Sequence, residues 1–282
     1  QRGWSFLKTL RAEKCDAAIL FTNSLRTGWL AWRSGAKERI GFARDLRGWL
    51  LTTRLTPKSK SVPNPVIDEY NRLVEAAGCR ILNRTMELAV SARDVAALDT
   101  FWEKHPRLNR QRVVVINTGG AFGPAKNWPR ASFAELAQRI VKQTDRTVLV
   151  ACGPGEREDA QAIVAAAQSP RVVSVADEPL TIGLTKAVVK HAELMVTTDS
   201  GPRHFASAFG VPVITLFGPT HIAWSETYAP QSIHLQQAVD CGPCQQRTCP
   251  LGHHRCMTEL SVDRVFQAVM NRLSPSQQKR AA

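Results

Sequence analysis

Two loops in the second half of the chain hold residue types that suit a phosphorylated ligand. The first runs Asn117-Thr-Gly-Gly-Ala-Phe-Gly-Pro-Ala-Lys-Asn-Trp-Pro129. Its Gly119, Gly120 and Gly123 let backbone N–H groups approach a bound group closely, and Lys126 adds the cation that a diphosphate needs beside them. The Gly-Lys-Ser/Thr ending of an ATP-binding P-loop is absent, which argues against an ATPase. The second loop, Thr197-Thr-Asp-Ser-Gly-Pro-Arg-His-Phe205, puts Pro202 at a helix start, where its missing N–H costs nothing. Ser200 and Gly201 then sit at the helix entry, where free N–H groups and the helix dipole attract anions. Asp199, at the strand end, can accept hydrogen bonds from ribose or sugar hydroxyls. Arg203 and His204 add cationic or donor capacity. Plainer readings compete: a solvated Lys126, Asp199 as an N-cap, and His204 as a satisfied polar group.

Two more Gly-Pro turns lie at strand ends, Cys152-Gly-Pro-Gly-Glu156 and Leu216-Phe-Gly-Pro-Thr220. Glu156 suits a ribose hydroxyl, or equally a first-turn acid favoured by the helix dipole. Further on, Cys241, Cys244, Cys249 and Cys256, with His253 and His254 in the last gap, are close enough in sequence to surround one ion. Four thiolates, or three and an imidazole, suit a structural zinc, although the spacing is not that of a standard finger. A disulfide pair and four free thiols are the alternatives. Cys15, Cys79 and Cys152 stand alone in apolar surroundings and read as small buried hydrophobes.

The elements that must position these loops alternate. In the first part, helices are expected at 4–13, 25–33, 68–77 and 91–104, and strands at 16–22 and 38–42. Residues 44–54 read as loop and short helix. The polar, proline-bearing stretch 105–111 reads as a linker, giving an N-terminal domain at 1–108 and a C-terminal domain at 109–282. From residue 113 the pattern becomes regular. Strands are expected at 113–117, 147–151, 171–175, 194–198 and 212–217, and helices at 132–142, 156–167, 181–191 and 202–209. Ser132 and Glu135 have the spacing of a capping box. Strands alternating with helices imply βαβ units and a parallel, doubly wound sheet, in which ligands bind beyond the carboxyl ends of the strands. The tail after Ser274 reads as frayed.

Composition narrows the classes. The chain has 282 residues, 44% hydrophobic and 22% charged, ordinary for a globular protein and long enough for two domains. No stretch approaches the roughly 18 apolar residues of a membrane span. The formal charge of +13 favours anionic partners. The basic residues are spread along the chain with no recognised nucleic-acid module, so nucleic acid is not expected.

Taken together in order, Phe122-Gly-Pro-Ala-Lys-Asn-Trp-Pro129, the Glu156 turn, Asp199-Ser-Gly-Pro-Arg-His204 and Leu216-Phe-Gly-Pro-Thr220 resemble the bacterial lipopolysaccharide heptosyltransferases, glycosyltransferase family nine, of the heptosyltransferase II type. The segment at 16–23 and Glu38-Arg-Ile-Gly-Phe-Ala-Arg44 are also similar, so the resemblance covers nearly the whole chain. It implies a GT-B α/β fold of two Rossmann-like domains facing a cleft, the N-terminal one on the acceptor side and the C-terminal one holding the donor. The implied reaction is inverting transfer of heptose from ADP-L-glycero-β-D-manno-heptose to the anionic lipopolysaccharide inner core. It needs no metal for transfer, and it takes place in the cytoplasm or at the inner face of the cytoplasmic membrane, with peripheral membrane contact. Lys126 would hold the diphosphate with the N–H groups of Ser200 and Gly201 and the turn at Gly123. Asp199 would hold heptose hydroxyls, His204 would lie near the phosphates, and Glu156 would lie toward the adenosine.

One departure stands out. The family's general base is an Asp in a Gly-Asp pair after the first strand, and no such pair occurs in this chain. That strand is expected upstream of Gln1, so the chain reads as an N-terminally incomplete copy, the alternative being that another carboxylate has taken the role. Arg39, Arg44, Arg47 and Arg54 are the expected docking place for a phosphorylated acceptor. A transferase with another nucleotide-sugar donor or a different acceptor, and a non-catalytic nucleotide-sugar-binding module, are the alternatives.

Overall fold

The computed structural model describes residues 3–59, 61–120 and 122–274, so Ala121 of the Gly-rich loop and the tail beyond Ser274 lie outside the described residues. The chain divides into two compact units, residues 1–84 with 223–226, and residues 85–222 with 227–282.

The first unit carries a parallel sheet of three strands, β1 (Ala17–Leu20), β2 (Glu38–Phe42) and β3 (Thr53–Leu55). Helices α1 (Trp4–Ala12), α2 (Leu25–Ser34) and α3 (Val66–Ala76) accompany it. α2 starts under the Ser24 side chain, which accepts from Thr27 N–H, and stops at Gly35 with φ +91°. A small core forms where Ile40 and Phe42 meet Leu73 of α3.

The basic stretch at 44–54 is loop and short helix as read, except that its last two residues already belong to β3. It holds a single 3-10 turn at Gly48–Leu50 and leads directly into β3. Arg47, expected to face an acceptor, is fully buried. Its guanidinium donates to the carbonyl oxygens of Phe42 and Thr22 and to Asn23 Oδ1. A buried cation needs such acceptors on every side, so Arg47 ties the strand-to-helix turns together and does not face solvent.

The second unit contains α4 (Ala92–Glu103), β4 (Val113–Asn117), α5 (Arg130–Gln143), β5 (Thr147–Ala151), α6 (Arg157–Ala167), β6 (Val172–Ser174), α7 (Ile182–Lys190), β7 (Leu194–Thr198), α8 (Gly201–Ala208), β8 (Val213–Phe217), β9 (Ser232–Gln236), α9 (Arg255–Thr258) and α10 (Val262–Leu273). The six strands form one parallel sheet in the order β6-β5-β4-β7-β8-β9. Counted within the unit this is 3-2-1-4-5-6, the doubly wound arrangement in which the strand order reverses between the first and fourth strands. Every residue of β4, β5, β7 and β8 is buried. Helices cover both faces of such a sheet, which is why these strands read as continuous apolar runs with no polar alternation.

Two expectations are corrected here. The boundary lies between Arg84 and Thr85, not near Leu108, because α4 belongs to the second unit. Leu98, Phe101 and Trp102 of α4 join the same core as Val113–Ile116, so the polar stretch at 105–111 is a surface turn inside that unit. The capping box is also elsewhere. α5 begins at Arg130 behind Pro129, which leaves Ser132 inside the helix. The reciprocal pair forms instead at α4, where Ser91 Oγ accepts from Asp94 N–H and Asp94 Oδ2 accepts from Ser91 N–H.

Candidate functional site

The site sits where the strand order reverses. β4 and β7 run side by side there, and their ends, Asn117 and Thr197, are register partners. Asn117 is buried and bridges the two strands. Its side-chain amide points at Gly119 O (3.1 Å), Thr197 Oγ1 (3.2 Å) and Ser200 Oγ (3.1 Å). One side chain therefore fixes the Gly-rich loop against the entry of α8. The glycines are required by closeness: a Cβ on Gly120 would lie 2.8 Å from Ser200 Cβ, and one on Gly119 would run into the Glu156 carboxylate.

Glu156 is held by Gly153, whose N–H donates to its Oε2 at 2.7 Å. An open cavity of about 690 Å³ lies over these strand ends, lined among others by Asn117, Gly119, Gly120, Gly123, Glu156 and Gly201. That volume is in the range of about 300–1,000 Å³ usual for small-ligand sites. Ser200 caps α8 in extended conformation without a side-chain cap bond; Arg203 N–H donates back to Ser200 O at 3.3 Å, while the N–H groups of Ser200 and Gly201 precede any helical acceptor.

Lys126 and Asp199 do not stand apart as separate ligand contacts. Lys126 Nζ donates to Asp199 Oδ2 at 2.6 Å and to the Asp199 carbonyl at 2.9 Å, and both side chains are largely buried. Thr220 Oγ1 donates to the same Oδ2 at 2.7 Å, and Arg203, fully buried, lies 3.5 Å from Oδ1. Burial pushes the Asp199 carboxyl up, but Lys126, Thr220 and Arg203 outweigh it and hold it below the usual carboxylate range. Asp199 is not the N-cap of α8; Ser200 is. Arg203 points inward, 3.1 Å from His234 Nε2 and over the Phe217 ring. His204 is half-buried. Burial first, then the Arg203 charge, push its imidazole down to about 4 against an opposing pull from Asp199. It is therefore neutral near pH 7, which leaves the donor capacity of the two read from the sequence and removes the cationic one.

The four clustered cysteines converge on one small cavity of about 30 Å³, which Ala125 of the Gly-rich loop also lines. All four are thiols, and among the described residues no three His, Cys, Asp or Glu side chains are drawn up at metal-ligand spacing. Of the lone cysteines only Cys152 is buried, its thiol pushed up to about 11, chiefly by burial. Cys15 and Cys79 are exposed, because they fall in the turns after α1 and α3. Sequence reasoning assigned no site role to Asn117, Thr220, Phe122 or Arg247. The first two were visible as polar residues at strand carboxyl ends.

Comparison with known proteins agrees with the resemblance drawn from the motifs. Residues 3–255 match glycosyltransferase family 9 (heptosyltransferase), and the chain belongs to that family. It is 29% identical over 172 residues to a lipooligosaccharide heptosyltransferase 2 of Campylobacter jejuni, a match covering 59% of this chain and 53% of that protein. The chain thus spans about half the length of such relatives. To lipopolysaccharide heptosyltransferase 2 of Escherichia coli K12 it is 22% identical over 267 residues, covering 92% of this chain and 76% of that one. Among solved structures, the Escherichia coli ADP-heptose lipopolysaccharide heptosyltransferase II superposes with a TM-score of 0.77 at 20% identity, covering 95% and 80% of the two chains. A family 9 glycosyltransferase from Veillonella parvula gives 0.79 at 23%, covering 97% and 80%. These superpositions establish a shared α/β fold built on parallel sheets, of the GT-B type. Among the described residues no helix is long and apolar enough to cross a membrane.

Proposed function

We propose that this chain carries the nucleotide-sugar site of an inverting glycosyltransferase that moves heptose from ADP-L-glycero-β-D-manno-heptose to the lipopolysaccharide inner core. The observation that carries the reading is the cavity at the strand-order reversal, with the Gly-rich loop on one side and the α8 entry on the other. In that reading the second unit is the donor side and the first the acceptor side. Negative charge develops on the diphosphate as the sugar departs. N–H groups of Ser200 and Gly201 and the Lys126 ammonium, already fixed in place, stabilise it without reorganising. Asp199 acts first by aiming Lys126, with sugar hydroxyls as a second task. His204 donates or accepts as a neutral ring near the phosphates, and Glu156 faces the adenosine.

The transfer step is read as metal-free, and any zinc on Cys241, Cys244, Cys249 and Cys256 as structural. Arg39, Arg44 and Arg54 all donate to backbone carbonyls. Arg54 makes one long bond, to Leu51 O at 3.4 Å, and is the exposed one of the three, which makes it the best cation for an anionic acceptor. In the first unit, Trp4, Trp29 and Trp32 are exposed around Arg33, whose guanidinium lies 5.8–5.9 Å from their rings. Tryptophan with arginine suits the headgroup layer of an anionic membrane, consistent with work at the cytoplasmic face.

Titration calorimetry with ADP-, UDP- and GDP-sugars tests the site. ADP-heptose is expected to bind, and Lys126→Ala to abolish binding. Equal affinity in the variant removes the site assignment. A preference for UDP or GDP moves the chain to another donor, and binding without transfer to lipopolysaccharide acceptors makes it a binding module.

A further inference from the structure

The Gly-rich loop rests on the cysteine segment. Ala125 N–H donates to the carbonyl oxygen of Arg247 at 3.1 Å, and a Cβ on Gly123 would lie 2.5 Å from that oxygen. Phe122 is sandwiched, with the Arg247 guanidinium 5.4 Å from its ring and the Lys126 ammonium 4.3 Å from it. Gln245 N–H donates to Pro219 O at 2.8 Å, next to the Thr220 that holds Asp199. Arg247 and Gln245 both lie between Cys244 and Cys249, so whatever fixes those two thiols fixes the floor under Lys126.

The four thiols and two imidazoles line one small space without yet standing at ligand distances. The shared cavity has room for one atom-sized occupant. Cys241 Sγ lies 4.0 Å from His253 Nε2. We propose that Cys241, Cys244, Cys249 and Cys256 bind one thiophilic, tetrahedral cation of the zinc or iron type, and that its occupancy sets the position of the Lys126 loop and hence donor affinity. Four thiol protons leave to solvent as the ion binds, and side-chain rotation draws the sulfurs together, as happens where metal binding completes folding. The ion touches neither donor nor reacting atoms, so these cysteines are positioning residues. The affinity arm rests on the donor-site reading above; the metal arm stands by itself.

The experiment uses the chain as purified. Elemental analysis is expected to give one equivalent of zinc or iron, and ferric–thiolate absorption separates the two. Cys249→Ser and Cys244→Ser should lose the metal, and Cys79→Ser, outside the cluster, should keep it. Chelation should speed hydrogen exchange of the amides at 123–127 and raise the ADP dissociation constant roughly five- to a hundredfold, both reversing when metal is restored. No metal above background, with no uptake of zinc, ferrous or cobaltous ion and all four thiols open to alkylation, overturns the site. Bound metal whose removal leaves exchange at 123–127 unchanged overturns the coupling. Loaded protein that shows metal-dependent exchange yet binds no ADP refutes the donor reading and leaves this one standing.

Discussion

Replacing Asp199 by Asn keeps the side chain's shape and removes its charge, leaving Lys126 and Arg203 without the anion they share. Asp199 is 8% exposed, Lys126 13% and Arg203 0%. Removing one partner of a buried ion pair costs about 3–5 kcal/mol, because the remaining charge is desolvated and uncompensated. The lower figure applies, since an Asn oxygen can still accept from Lys126 and from Thr220 Oγ1. A loss of about 3 kcal/mol corresponds to a fall in Tm of about 6–12 °C at roughly 2–4 °C per kcal/mol for a domain of this size. Adding Lys126→Met to Asp199→Asn removes the stranded ammonium and should recover about 1–2 kcal/mol of that loss. Scanning calorimetry of the wild type, both single variants and the double variant measures the coupling. If the two single losses add to within about 0.5 kcal/mol, the pair does not act as a unit, and Asp199 is not what aims Lys126.

His204 makes stability depend on pH. Its folded value of about 4 lies below the ordinary 6.5, so the unfolded chain binds more protons between those values, and stability falls as the pH drops through that window. The full effect is at most about 3 kcal/mol, and urea titrations of His204→Gln should be flatter there; parallel curves would discard the buried neutral ring. The lowered Asp199 carboxyl acts in the other part of the range: its stability is present above the ordinary carboxylate value and is lost only below about pH 4. Gly120→Ala should weaken ADP-sugar binding about tenfold through overpacking against Ser200 while the fold survives, as read by calorimetry and circular dichroism; unchanged affinity would show that the loop yields freely. Ser91→Ala should cost about 1 kcal/mol by breaking the capping box of α4, measured by denaturant unfolding, and no change there would mean the helix start frays already.

How much was legible depended on how local the cause was. β4, β5 and β7 could be read to the residue because burial on both faces leaves uninterrupted apolar runs. β9 escaped, since of Ser232–Gln236 only Leu235 is fully buried and the strand lies at the sheet edge. β3 escaped as three residues inside a basic run. Ser132 with Glu135 has the same spacing as Ser91 with Asp94, and Pro129 decided against Ser132 by starting its helix earlier. At the site, residue types and loop positions were visible, but their pairing was not. Lys126 and Asp199 are 73 positions apart, and nothing local says that a cation and a carboxylate will neutralise each other beside the entry of α8. Arg47 shows the same limit, because a charged residue in a basic stretch looks solvated until its acceptors, up to 25 residues away, come into view.

The Asn117 amide faces more acceptors than it has protons. Two N–H bonds meet three oxygens, and Ser200 Oγ also lies 3.2 Å from Thr197 Oγ1. Ser200 is therefore the redundant member of its own network. Its hydroxyl can swing toward an incoming phosphate oxygen while Asn117 keeps both protons engaged with Gly119 and Thr197. The site holds a hydrogen bond in reserve, released on binding without leaving an orphan behind. Ser200→Ala should accordingly weaken nucleotide binding while leaving the melting temperature almost where it was.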